Sequence, residues 1–173
     1  NIKIKKYKDL SKEDKENIDQ YFRNEIYPLL TPQGMDPAHP FPFISNLSIN
    51  LLVSVRYPES DHSYLNRIKI PTSSDLPRFI RIGTEHVYIL LEDLVGNNLQ
   101  LLLPGMEVET CETFRVTRNA ITERHEEQAN DLLVVIESAL RDRKFAEIVR
   151  LEIGSGMLEH HKGKLAAELR VDE

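Results

Sequence analysis

Arg78 and Arg81 bracket one apolar stretch of this chain, Arg115 and Arg118 a second, and Arg150 lies in a third. If these stretches are neighbouring strands, their guanidinium groups converge into a stripe. Planar forks of N–H donors match phosphate oxygens, so the chemistry would be anion binding. Glu107, Glu109, Glu112 and Glu152 alternate in the same stretches. Opposite charges facing each other across a sheet pair with one another. Structural ion pairs are therefore the favoured reading of these arginines, and phosphate contact is the alternative.

The other reactive side chains form no constellation. The six histidines are scattered: His39, His62, His86 and His125 have no second ligand at helical or hairpin spacing. His160 and His161 are adjacent, and neighbours on a helix diverge by about 100°. Surface or capping roles are expected for each, with His39 anchoring its own segment by hydrogen bonds. Cys111 has no basic neighbour to lower its pKa and reads as a small core residue in mid-strand. Gly154-Ser155-Gly156 lacks the third glycine and the following lysine of a phosphate loop, and reads as a turn before a helix. No metal ligand set and no catalytic residue is expected.

One segment is set apart by its stiffness. Five of the nine prolines fall between Pro28 and Pro42. Each fixes its own φ and pushes its predecessor out of the helical region. The segment is expected to be neither helix nor central strand, yet it carries Phe41, Phe43, Ile44 and Leu47, which favour burial. With Asp36, His39 and Asn46 embedded, it reads as a structural keystone, a packed connection between a helix and a strand.

The elements around these residues follow from periodicity. A short edge strand is expected over residues 2–7. Ser11 is a suitable N-cap, with Glu13 and Asp14 in the first turn to complement the helix dipole. That helix is predicted to reach about Tyr27, with Ile18, Tyr21, Phe22, Glu25 and Ile26 on one face. Strands are predicted at 48–57, 66–70, 78–82, 86–91, 108–118 and 148–153. Helices are predicted over 92–102, 126–143 and 157–169. Strands that cluster early, without regular alternation with helices, argue for an α+β fold with a largely antiparallel sheet, in a single compact domain over 1–173.

Composition is consistent with that fold. The chain has 173 residues, 40% hydrophobic and 29% charged, enough for one real core. No apolar run approaches the ~20 residues that span a bilayer. A net charge of −6 opposes nucleic-acid binding, and any polyanion needs a local basic stripe. One cysteine excludes an internal disulfide and suits a reducing cytoplasm. The N-terminus has no signal-peptide pattern. The lack of an initiator methionine suggests a fragment.

A set of short motifs adds a resemblance. Tyr21-Phe22 and Leu30-Thr31-Pro32 are followed by Asp36-Pro37-Ala38-His39-Pro40-Phe41-Pro42-Phe43-Ile44-Ser45-Asn46-Leu47-Ser48. Then come Leu76-Pro77-Arg78-Phe79, Leu91-Glu92-Asp93, Leu103-Pro104-Gly105, Phe114-Arg115-Val116-Thr117-Arg118-Asn119 and Val149-Arg150-Leu151-Glu152. In this order they resemble the middle, or head, domain of bacterial polyphosphate kinase of the first type. Gln33-Gly34-Met35 departs from that family's small aliphatic run.

The resemblance implies a parent enzyme several times longer, with ATP and magnesium as its cofactors. It implies reversible transfer of the terminal phosphate of ATP to polyphosphate through a phosphohistidine, a case of nucleophilic catalysis. The phosphohistidine and most nucleotide contacts belong to two later domains of that family, so the piece in hand is expected to be non-catalytic. The head domain is expected to serve the homodimer contact and to frame the active-site tunnel. Its expected partners are the remaining parent domains, with polyphosphate as a further candidate. The parent is expected in the cytoplasm, with peripheral membrane association open. Arg78, Arg115, Arg118 and Arg150 are candidates for the polyphosphate path, although the resemblance itself assigns them no role. Two rivals are a stand-alone phosphate- or nucleotide-binding module and an interaction domain docking through the proline segment.

Overall fold

Ser11 begins the first long element as its sequence requires. In a computed structural model that describes residues 2–36, 40–72, 76–83, 85–119 and 145–171, the Ser11 hydroxyl accepts from the Asp14 N–H at 3.1 Å. It caps helix α1 (Lys12–Tyr21). The helical path continues through a wider turn at Phe22–Ile26 and a tight turn at Tyr27–Leu29 that accommodates Pro28. Ile18, Phe22 and Ile26, spaced by four, are all buried, so the widened turn keeps one apolar stripe against the core. Glu25, expected on that face, is exposed.

The described residues group into two compact units, Asn1–Pro42 with Ile49–Thr113, and Phe43–Ser48 with Phe114–Glu173. The first unit holds two sheets. Strand β1 (Lys3–Ile4) lies parallel to β6 (Val87–Leu90), which pairs antiparallel with β5 (Phe79–Ile82). Ile2 and Ile4, at this edge, are both exposed. In the other sheet, β2 (Gln33–Met35) is the edge, followed by β4 (Ser63–Lys69), β3 (Ile49–Arg56) and β7 (Glu107–Arg118).

Both β2 and β3 run antiparallel to β4. The edge position is where a strand hemmed in by prolines is tolerated. Leu51, Val53 and Val55 point from β3 into a core shared with Phe22, Ile26, Ile68, Ile89, Leu91 and Leu94. Each such side chain contributes about 1.5–3 kcal/mol on burial. The predicted helix after β6 is two short ones, α2 (Leu91–Asn97) and α3 (Leu99–Leu102), broken at Asn98. Asn98 Nδ2 donates back to the Leu94 carbonyl at 3.1 Å, a local bond that competes with helix continuation.

The second unit is built on the last part of β7. Phe114–Arg118 pair antiparallel with β8 (Ile148–Ile153), with a register shift between Thr117 and Arg118. Helix α4 (Glu159–Leu169) follows and buries His161, Leu165 and Leu169. The architecture is α+β with largely antiparallel pairing, as the pattern of elements indicates. The predicted helix over 126–143 lies outside the described residues. Among the described residues no helix is long and apolar enough to cross a membrane.

Candidate functional site

The proline segment enters the second unit at Phe43, and there Arg118 holds it. β7 presents Arg118 so that its Nε and Nη2 donate to the Ile44 carbonyl at 3.1 and 3.0 Å, while Nη1 donates to Ala146 O at 2.6 Å. The guanidinium lies 4.7 Å from the centre of the Phe43 ring, in cation–π geometry. That ring in turn meets Phe145 at 5.3 Å. The Arg118 N–H donates to Asn46 Oδ1 at 2.9 Å. Leu47 adopts a left-handed φ of 59°, costly for a residue with a Cβ. It is held there by its N–H bond to Val116 O at 2.9 Å. Burial lowers the pKa of Arg118 below the usual guanidinium value.

This geometry revises part of the keystone expectation. Ile44 is fully buried, but Phe43 is 39% exposed and Leu47 is exposed as well. Phe43 is a platform for a cation rather than a core plug. Phe41 is half-buried and Asp36 is exposed at the end of β2. His39 lies outside the described residues.

The other path candidates, Arg78, Arg115 and Arg150, meet carboxylates. Arg78 sits before β5 and grips the buried Glu92 of α2, with Nε donating to Oε1 at 2.9 Å. Arg81 Nε donates to the Glu85 carbonyl at 3.2 Å. On the β7–β8 ladder Arg115 faces Glu152 and Thr117 faces Arg150. Glu152 therefore takes two guanidiniums: Arg115 Nε at 2.6 Å and Arg150 Nη2 at 3.1 Å. The hydrogen bond from Arg115 holds the Glu152 carboxyl below its usual range, and the same bond raises Arg115. One carboxylate is thus shared by two cations. Arg118, one residue on from Thr117, alternates to the opposite face of the strand, so Arg118 does not share a stripe with Arg115 and Arg150.

The remaining candidates among the described residues carry no reactive geometry. Cys111 is exposed rather than a core residue. Its sulfur is desolvated beside α2, where a Cβ at Gly96 would meet it at 3.4 Å. That desolvation, then the Glu112 and Asp93 charges, push the thiol up to about 11, which disfavours a nucleophilic thiolate. His161, expected at the surface, is buried, with its ring 4.1 Å from that of His160. Among the described residues no group of three or more His, Cys, Asp or Glu is placed to hold a metal.

An open pocket of about 390 Å³ between α1 and β5 has Asp14, Asn17, Tyr21 and Arg81 on its rim. Sequence reasoning also passed over Arg67 of β4. A lone charged residue in a strand normally marks a solvent face, but Arg67 is buried.

Comparison with known proteins agrees with the fold and the motif order. A family model described as the polyphosphate kinase middle domain matches residues 13–173. The polyphosphate kinase of Thermosynechococcus vestitus is 38% identical over 180 residues, which covers 99% of this chain and 24% of that protein. That of Mycobacterium ulcerans is 39% identical over 180 residues, covering 98% of this chain and 24% of the relative. The chain thus spans about a quarter of the length of the curated relatives it matches. The crystal structure of polyphosphate kinase from Porphyromonas gingivalis superimposes with a TM-score of 0.75 at 21% identity. The match covers 99% of this chain and 24% of that one, and it shows a shared fold.

Proposed function

The chain belongs to the polyphosphate kinase middle-domain family, and from that premise we propose that it is the non-catalytic middle domain of an enzyme that reversibly transfers the terminal phosphate of ATP to polyphosphate. The observation that carries this reading is the family match over residues 13–173, together with relatives about four times its length. The chemistry, with its ATP and magnesium, belongs to the rest of that enzyme. This domain contributes shape: it frames the tunnel and offers surface for the homodimer contact and for the neighbouring parent domains. The enzyme works in the cytoplasm.

In this reading Arg78 and Arg118 are structural. Arg78 neutralises buried Glu92, and Arg118 clamps the Phe43–Ser48 segment. Arg115 and Arg150 have a second role in this reading, as a polyphosphate contact, supported by the single carboxylate they share.

The test is direct. The isolated chain, incubated with γ-labelled ATP, magnesium and polyphosphate, is expected to label neither the polymer nor itself. Turnover clearly above a heat-killed control would show that the chain is itself a catalyst.

A further inference from the structure

We propose that Arg67 is the inner end of an oxyanion site opening at the β2 edge of the first unit, built to take phosphate oxygens. Arg67 is only 6% exposed. Its Nε donates to Asn50 Oδ1 at 2.7 Å and its Nη1 to Gln33 Oε1 at 2.6 Å. Both acceptors are neutral amides, and among the described residues Arg67 forms no ion pair. In this it differs from Arg56, Arg78, Arg115 and Arg150, each of which meets a glutamate.

A buried charge held by neutral dipoles alone is expensive, and buried charges are normally matched by an opposite one. A guanidinium does not escape that cost by losing its proton. Burial lowers the Arg67 pKa, but from a starting value far above neutrality. An external anion is the simplest match.

The geometry also gives the anion a way in. Two of the five N–H donors of the fork are used by the amides. Nη2 meets no acceptor among the described residues. Gln33, directly across from Arg67 in the ladder, is exposed on the edge strand, so the Nη side of the fork faces that edge. Lys69, two residues further along β4, adds a second cation to the same face. The amide oxygens that hold Arg67 also orient its plane, which favours two-point contact with an oxyanion. The choice of phosphate over other oxyanions rests on the polyphosphate kinase reading above.

The test is a titration of the ¹⁵N-labelled chain with tripolyphosphate, against potassium chloride of equal ionic strength. Saturable shifts are expected at the amides of Gln33, Arg67 and Lys69, with affinity falling steeply as salt rises. Arg67→Gln is expected to weaken binding at least about tenfold, because the whole fork is lost. Arg67→Lys keeps the charge without the fork and is expected to bind more weakly than wild type. It stands in if the glutamine variant does not fold.

Three results would overturn the inference: no saturable shift around β2, wild-type affinity in Arg67→Gln, or wild-type affinity in Arg67→Lys. Shifts confined to Thr117, Arg150 and their neighbours would also overturn it, while leaving a polyphosphate contact at Arg115 and Arg150 standing. Kinase assays on the whole enzyme judge the family reading separately.

Discussion

Arg118 spends its side chain on backbone carbonyls. Three N–H groups of one guanidinium satisfy Ile44 O and Ala146 O, two acceptors from distant parts of the sequence. Hydrogen bonds from a charged donor are worth more than neutral ones, and removing the donor strands the carbonyls. Arg118→Ala is therefore expected to lower the unfolding free energy by about 2–4 kcal/mol. The half-exposed Phe43 falls short of the roughly 3–5 kcal/mol expected of a buried aromatic. Phe43→Ala is expected to cost about 1–2 kcal/mol, from its contacts with Phe145 and Arg118. Urea midpoints of the two variants order them, and a larger loss at Phe43 would contradict the platform role.

Tyr7 supplies a pH test at the same scale. Burial first, then its hydroxyl bond to Asp19, push Tyr7 up to about 12. An acid whose folded pKa is raised stabilises the fold while it is protonated in both states. That advantage is present below the unfolded value of about 10 and is lost as pH rises toward 12. Tyr7→Phe is expected to remove part of the stability loss between those limits. Identical pH profiles for variant and wild type would contradict this.

At the scale of elements, the strands were legible because their alternation is strong. Leu51, Val53 and Val55 mark β3 without any tertiary information, and Ser11 with Glu13 and Asp14 marks the start of α1. β2 was hidden, because Gln33-Gly34-Met35 has no alternation and sits among prolines. It becomes a strand only because the ladder of β4 accepts it. The widened turn after α1 was illegible for a similar reason: hydrophobic spacing reports which face is buried, not which carbonyl each N–H chooses.

Phe43 was expected to be buried and is half-exposed, while Arg67, charged and buried, gave no signal in the sequence. Residue type sets a preference that neighbours overrule. Phe22, fully buried on the widened turn, carries the packing of that element. Phe22→Ala is expected to cost about 3–5 kcal/mol. A urea midpoint close to wild type would show that the widened turn does not depend on it.

At the scale of the molecule, the family was legible through motif order rather than through any single reactive residue. The candidate arginines Arg78, Arg115, Arg118 and Arg150, read one by one, divide between ion pairs and a backbone clamp. The most direct measurement exchanges the corresponding segment of the Thermosynechococcus vestitus polyphosphate kinase for this chain and follows transfer of labelled phosphate from ATP to polyphosphate. The chimera is expected to make labelled polymer where the isolated chain makes none. A folded chimera that makes none, or an isolated chain that does, would contradict a supporting middle domain.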